Sequence, residues 1–136
     1  MKKILLTIIT IVSFSLVSCE HSHEYKAEGE RMANRLDELC QKQDAAAAIA
    51  LDDSIRSLEQ KLVESGDTTN ISDFRNAVTE SQNRNAPIIT RMRVQAGATT
   101  DEAVQPMIDD ALNGDGDITT ITKSINEGIK ESSNKK

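Results

Sequence analysis

The sequence predicts an all-α protein, an antiparallel bundle of four or five helices with a long first helix. Apolar residues recur in steps of three, four or seven, which places them along one side of a helix. No segment alternates apolar and polar residues over the length of a strand. Turns rich in Ser, Thr, Asn and Gly separate the apolar stretches, as expected for short connections between neighbouring helices.

The first 18 residues have the three parts of a secretory leader. Lys2 and Lys3 give it a cationic start, an apolar stretch covers residues 4–16, and small side chains precede Cys19. A transmembrane helix needs about 20 apolar residues, and this stretch is shorter and interrupted by Thr and Ser. We therefore predict that residues 1–18 are a signal peptide that is cleaved on export.

The motif Leu16-Val17-Ser18-Cys19 resembles the lipobox of bacterial lipoproteins. The resemblance implies cleavage before Cys19, a diacylglyceryl thioether on its sulfur, and usually an acyl chain such as palmitate on the new amino terminus. Two or three such chains hold a soluble domain at a membrane. The expected location is the bacterial cell envelope, at the outer membrane. The leaflet, periplasmic or surface, stays open because bacteria read Glu20 as a sorting cue in different ways.

The mature chain is acidic and has few aromatic residues. Loss of Lys2 and Lys3 leaves 14 basic against 22 acidic side chains, a net charge of −8. Nucleic acid binding requires clustered basic residues, so the composition argues against a nucleic acid partner. Tyr25 and Phe74 are the only aromatic residues left, so the core must be aliphatic.

Four segments follow from the pattern. The signal peptide is followed by a polar, lipid-anchored tether over residues 19–28, within which helix begins. A helical domain covers 29–131, and a disordered tail covers 132–136. Between Arg31 and Ser65 the chain has neither Gly nor Pro, and one helix over 25–65 would be about 60 Å long. It forms either a coiled-coil arm or two helices with a break near Gln43-Asp44.

The later helices are marked by their ends. Gly66 and the following Asp67 to Asn70 predict a helix stop, a turn and a new N-cap. Pro87 is expected to start a helix and not to continue one. Thr99 and Glu102 fit a capping box, and Pro106 should kink the helix or delay its start. The last helix has an isoleucine stripe, consisting of Ile118, Ile121, Ile125 and Ile129.

The turn before the last helix resembles half of a calcium loop of the EF-hand or dockerin kind. Asn113, Asp115 and Asp117 are its candidate metal ligands. Ala111 and Thr122 stand where the first Asp and the bidentate carboxylate belong, so most of the ligand charge is missing. The alternative is an ordinary turn in which Asp117 caps the next helix.

Other candidates are weaker. His21 and His23 in the tether offer two imidazoles to a transition metal, but no third histidine completes a closed site. Cys40 shares an apolar stripe and is predicted to be a buried free thiol. Asp67-Thr68-Thr69 resembles the acceptor of a bacterial O-glycosylation system, which makes Thr68 a candidate in an exposed turn; Asp53-Ser54-Ile55 is a poorer match because it lies within a helix.

No catalytic set is evident in the sequence. The acidic pairs Asp52-Asp53 and Asp109-Asp110 are neighbours on helices, whose side chains diverge by about 100°, and they are expected to solvate an outer face. We therefore predict a non-enzymatic, lipid-anchored structural or protein-interaction module with an unidentified protein partner and no cofactor besides the lipid. The alternative is a metal-binding or small-ligand-binding accessory lipoprotein that uses the 113–117 turn.

Overall fold

The computed structural model describes residues 24–113 and 116–135. They form five helices and contain no strand, which confirms the all-α bundle. The helices are α1 (Glu24–Gln41), α2 (Ala45–Ser65), α3 (Thr68–Gln95), α4 (Thr100–Leu112) and α5 (Ile118–Asn134). The predicted signal peptide and most of the predicted tether lie outside the described residues. Helix α1 begins inside the 19–28 segment, and α5 continues into the predicted tail.

The stretch over 25–65, for which one long helix and two helices were both open, forms two helices. Gln43 takes a positive φ of 57°, which turns the chain, and the Asp44 side chain accepts a hydrogen bond from the Ala47 amide at 3.3 Å as the N-cap of α2. The predicted break near Gln43-Asp44 is therefore the correct alternative. The longest helix is α3, with 28 residues, and not the first helix.

The predicted C-terminal end of α2 and the predicted N-terminal ends of α3 and α4 are confirmed. Gly66 ends α2 in the left-handed region at φ 75°, and Asp67 caps α3 by accepting from the Asn70 amide at 3.1 Å. The Thr99 amide donates to Glu102 Oε2 at 2.8 Å, and the Glu102 amide donates to Thr99 Oγ1 at 3.2 Å. This reciprocal pair is the expected capping box.

Both prolines lie inside helices, contrary to the prediction for Pro87. Helix α3 passes through Pro87 without a break, and α4 begins at Thr100, ahead of Pro106. A proline inside a helix costs about 3 kcal/mol because it removes one backbone hydrogen bond and crowds the preceding turn. Beyond Pro87, Ile89 and Met92 are buried almost completely, so tertiary packing offsets that cost.

Helix α3 lies at the centre of the bundle and contacts the other four. Ser81 Oγ donates to the Ala33 carbonyl, and Asn85 Nδ2 donates to Asp37, so α1 runs parallel to α3. Helix α5 is also parallel to it, since Lys135 reaches the Val94 carbonyl near the C-terminal ends of both helices. Helices α2 and α4 run the opposite way. Consecutive helices are thus antiparallel. The start of α1, the α2–α3 turn and the α4–α5 turn therefore lie toward one end of the bundle, which we call the Glu24 end.

Two different packing faces meet α3. Helix α1 presents large apolar side chains, and Leu36 is fully buried. Helix α5 instead packs through Thr120, Ser124 and Gly128. The two ends of the isoleucine stripe lie outside this face, because Ile118 and Ile129 are 77% and 53% exposed.

Candidate functional site

The described residues form a large groove between α2, the first half of α3 and α4. Its volume is about 740 Å³, within the size range of ligand clefts. Val63 on α2, Ile71 on α3 and Pro106 on α4 give it apolar walls. Val63 is 47% exposed. The groove therefore offers apolar surface at the Glu24 end of α2.

The groove also carries charge of both signs. Carboxylates outnumber guanidinium groups among its lining residues, which include Glu59, Glu102, Asp109, Asp110, Arg56 and Arg75. Glu59 accepts from Arg75 Nε at 2.6 Å, which ties α2 to α3. Asp109 is exposed and accepts from Gln105 Nε2 at 2.8 Å. The surplus of acid makes the groove suited to a ligand with a basic group.

An ion-pair network, the Arg56 cluster, reaches the wall of the groove through Arg56 and Asp110. It consists of Asp52, Asp53, Arg56, Arg93 and Asp110. Asp52 Oδ2 accepts from Arg56 Nε at 3.2 Å and from Arg93 Nη2 at 3.0 Å. Arg56 Nη1 also pairs with Asp110 and donates to the Pro106 carbonyl. The cluster thereby joins α2, α3 and α4 around one buried carboxylate.

Burial opposes the charge on Arg56, but the carboxylates of Asp52 and Asp110 outweigh it and raise the pKa of the guanidinium. Asp52 is only 3% exposed, so the expectation that it solvates an outer face was wrong. An Asp followed by an Arg four residues later on a helix is the spacing of an ion pair, and this signal could have found the cluster.

A small cavity of about 30 Å³ lies under the α4–α5 turn, beside the groove. Arg56, Glu59 and Asp110 line both spaces. Gln82 also lines the cavity, and its buried Nε2 has no hydrogen-bond partner among the described residues. The cavity is large enough for one water molecule.

The α1–α3 side has its own polar group, the Asp37 cluster. Asp37 accepts from Arg84 Nη2 at 2.7 Å, from Asn85 Nδ2 at 2.5 Å and from Ser81 Oγ at 2.9 Å. Partial burial opposes ionisation of Asp37, but these hydrogen bonds outweigh it and lower the pKa of the carboxyl group. With all its partners engaged within the bundle, this cluster fixes α1 against α3.

The three candidate calcium ligands do not form one site among the described residues. Asp117 caps α5, since its carboxylate accepts from the Thr119 amide at 3.0 Å and from Thr120 Oγ1 at 2.8 Å. These bonds lower the pKa of Asp117. Asn113 is the C-cap of α4, and Asp115 lies outside the described residues. Within residues 24–113 and 116–135, no cluster of three metal-ligating side chains occurs. Calcium binding by this turn stays a prediction.

The other sequence candidates have these positions. Thr68 is exposed as the first residue of α3, where O-glycosylation stays a prediction. The Cys40 thiol is free and buried, as predicted, and burial, aided by the Asp37 and Asp52 carboxylates, raises its pKa to about 11. Cys19, His21 and His23 lie outside the described residues.

None of the described helices combines the length and the apolar character that a membrane span requires. No protein-family model matches the chain, and neither a curated protein nor a solved structure is significantly similar to it.

Proposed function

We propose that the protein is a non-enzymatic lipoprotein of the bacterial cell envelope, anchored at the outer membrane through lipid on Cys19, which binds a protein partner. The motif Leu16-Val17-Ser18-Cys19 supports the anchor. The groove between α2, α3 and α4 supports the interaction role, and it is the observation on which the proposal depends. Its occupant would be a segment of the partner that combines a basic side chain with an apolar one.

The charges of the groove favour recognition over chemistry. Arg56, Arg75, Glu59 and Asp110 are already engaged in ion pairs that hold the helices in place. A site whose walls are fixed before binding loses less conformational entropy on association. Asp109, an exposed acid outside these ion pairs, and the exposed Val63 are then among the groups that a partner would contact first.

The test is crosslinking in the native membrane. The full-length protein is expressed in its own bacterium, mildly crosslinked, isolated and compared with the groove variant Val63→Ser/Asp109→Lys. Both residues are exposed, so the variant should fold normally. The matched control is Ile129→Ser/Glu30→Lys, which makes the same two kinds of change at exposed positions outside the groove.

We expect one stoichiometric crosslinked partner with the wild type and the control, and its loss with the groove variant. A partner retained equally by all three forms would place the interaction elsewhere and overturn the role of the groove. A clean monomer in every sample would overturn the interaction module itself.

A further inference from the structure

Two large apolar side chains are exposed at the α4–α5 turn. Leu112, the last residue of α4, is 81% exposed, and Ile118, the first residue of α5, is 77% exposed. They are the two most exposed large apolar residues of the part of the chain that the structure describes. Removing such side chains from water is favourable, so a cover for them would be stabilising.

The packing of α5 explains why the fold leaves Ile118 uncovered. The buried face of α5 carries small side chains, at Thr120, Ser124 and Gly128. A Cβ atom at Gly128 would lie 2.7 Å from Thr100 Cγ2, so α5 and α4 approach each other closely along this face. The isoleucine stripe lies beside these small residues, and its first member, Ile118, is left exposed.

The position of the pair indicates what covers it. The parallel order of α1, α3 and α5 places the start of α1 and the α4–α5 turn toward the same end of the bundle. Cys19 precedes Glu24 by five residues, which span at most about 18 Å. A lipid on Cys19 therefore keeps the Glu24 end close to the bilayer. Leu112 and Ile118 lie toward that end, so the bilayer is within their reach.

We propose that Leu112 and Ile118 insert into the headgroup region of the bilayer and fix the orientation of the bundle on it. This inference rests on the proposed lipid anchor. The anchor raises the effective concentration of the bilayer, so two side chains suffice to set the orientation even though they could not hold the protein alone.

Charge selects the type of lipid surface. Asp109, Asp110 and Asp117 lie within a few residues of the pair, and the mature chain has a net charge of −8. An anionic leaflet repels such a surface. The contact is therefore with zwitterionic lipid, and anionic lipid weakens it.

Tryptophan fluorescence tests the insertion. The sequence has no Trp, so single variants Leu112→Trp, Ile118→Trp and the control Ile129→Trp each carry one reporter. Ile129 is exposed on the same helix, about 16 Å farther from the Glu24 end. Each lipidated variant is reconstituted in phosphatidylethanolamine and phosphatidylcholine vesicles with and without brominated acyl chains, and vesicle flotation checks the anchor.

We expect a blue shift and strong bromine quenching for the reporters at 112 and 118, little change at 129, and weaker quenching when anionic lipid is added. Protein that floats with all three reporters unquenched would overturn the insertion and leave the anchor standing. Equal quenching at 129 would also overturn it, since the whole of α5 would then face the lipid. Protein that does not float would overturn the anchor itself.

Discussion

The two helices that run parallel to α3 are packed in opposite ways. Helix α1 buries Leu36 and Cys40 and closes its polar contacts around Asp37. Helix α5 buries Thr120, Ser124 and Gly128, and leaves large apolar residues outside. The comparison teaches that α1 gains its stability from large buried apolar side chains, whereas α5 packs through small ones and leaves large apolar side chains on the surface that we propose as a binding surface.

The largest expected loss of stability comes from breaking the Arg56 cluster, which joins α2, α3 and α4. Arg56→Ala removes one of the two cations that neutralise the buried Asp52 and should destabilise the protein by about 4 kcal/mol. Urea unfolding followed by far-UV circular dichroism measures the loss. The control is Arg31→Ala, because Arg31 forms an exposed pair with Glu28, and exposed pairs contribute little to stability. Similar losses for both variants would show that the Arg56 cluster is not a structural joint.

Truncation of apolar residues compares the two sides directly. Leu36→Ala on α1 should cost about 3 kcal/mol, because Leu36 is fully buried and the change leaves a cavity. Ile118→Ala on α5 should cost less than about 0.5 kcal/mol, because the side chain is exposed. Unfolding free energies from urea titrations measure both. A cost for Ile118→Ala close to that of Leu36→Ala would mean that α5 does bury its isoleucine stripe.

Added methyl groups sharpen the comparison. A Cβ atom at Gly29 would lie 2.7 Å from the Cβ of Ala77 and 3.2 Å from the Phe74 carbonyl oxygen, so Gly29→Ala should lose about 1 kcal/mol even though Ala favours helix. Gly128→Ala should lose less, because its nearest neighbour is the Thr100 side chain, which can move.

Thermal unfolding measures Gly29→Ala, Gly128→Ala, Ala77→Gly and the double variant Gly29→Ala/Ala77→Gly. The double change should cost less than the sum of its two single changes, since it relieves the contact. Additive losses would mean that α1 is not held against α3 at Gly29.

A further small effect is a pH dependence of stability on the α1 side. The folded-state pKa of Asp37 is lowered, so its contribution is complete above the ordinary Asp value of 3.8 and is lost as pH falls through the folded pKa. Asp37→Asn should therefore cost about 1 kcal/mol at neutral pH, and its stability gap to the wild type should narrow as the pH falls below about 4. Urea titrations across this range measure the gap. A gap that stays constant with pH would contradict the role of the ionised carboxylate.

The helix ends could be predicted from the sequence because they depend on local chemistry. Gly66, Asp67 and the Thr99-Glu102 box each act within a few residues of themselves, and the structure confirms them. The break at Gln43 could be stated only as an alternative, since no Gly or Pro marks it. All of these helix ends could be inferred without knowing how the neighbouring helices pack.

The errors lie where distant contacts decide. Pro87 continues α3 because four other helices pack on it, and Asp52 is buried because Arg93, 41 residues away, reaches it. Both ends of the isoleucine stripe of α5 are exposed, and the buried face carries the small residues beside it, of which Gly128 lies close to Thr100 of α4. The groove could not be predicted for the same reason, since α2, α3 and α4 each supply part of it.

The lipid anchor on Cys19 is tested most directly by intact-mass analysis of the protein extracted from the membranes of its own bacterium. The expected mass is that of residues 19–136 plus a diacylglyceryl group, and usually one further acyl chain, with fragmentation placing the added mass on Cys19. A chain that retains residues 1–18, or one that carries an unmodified Cys19 thiol, would contradict the anchor.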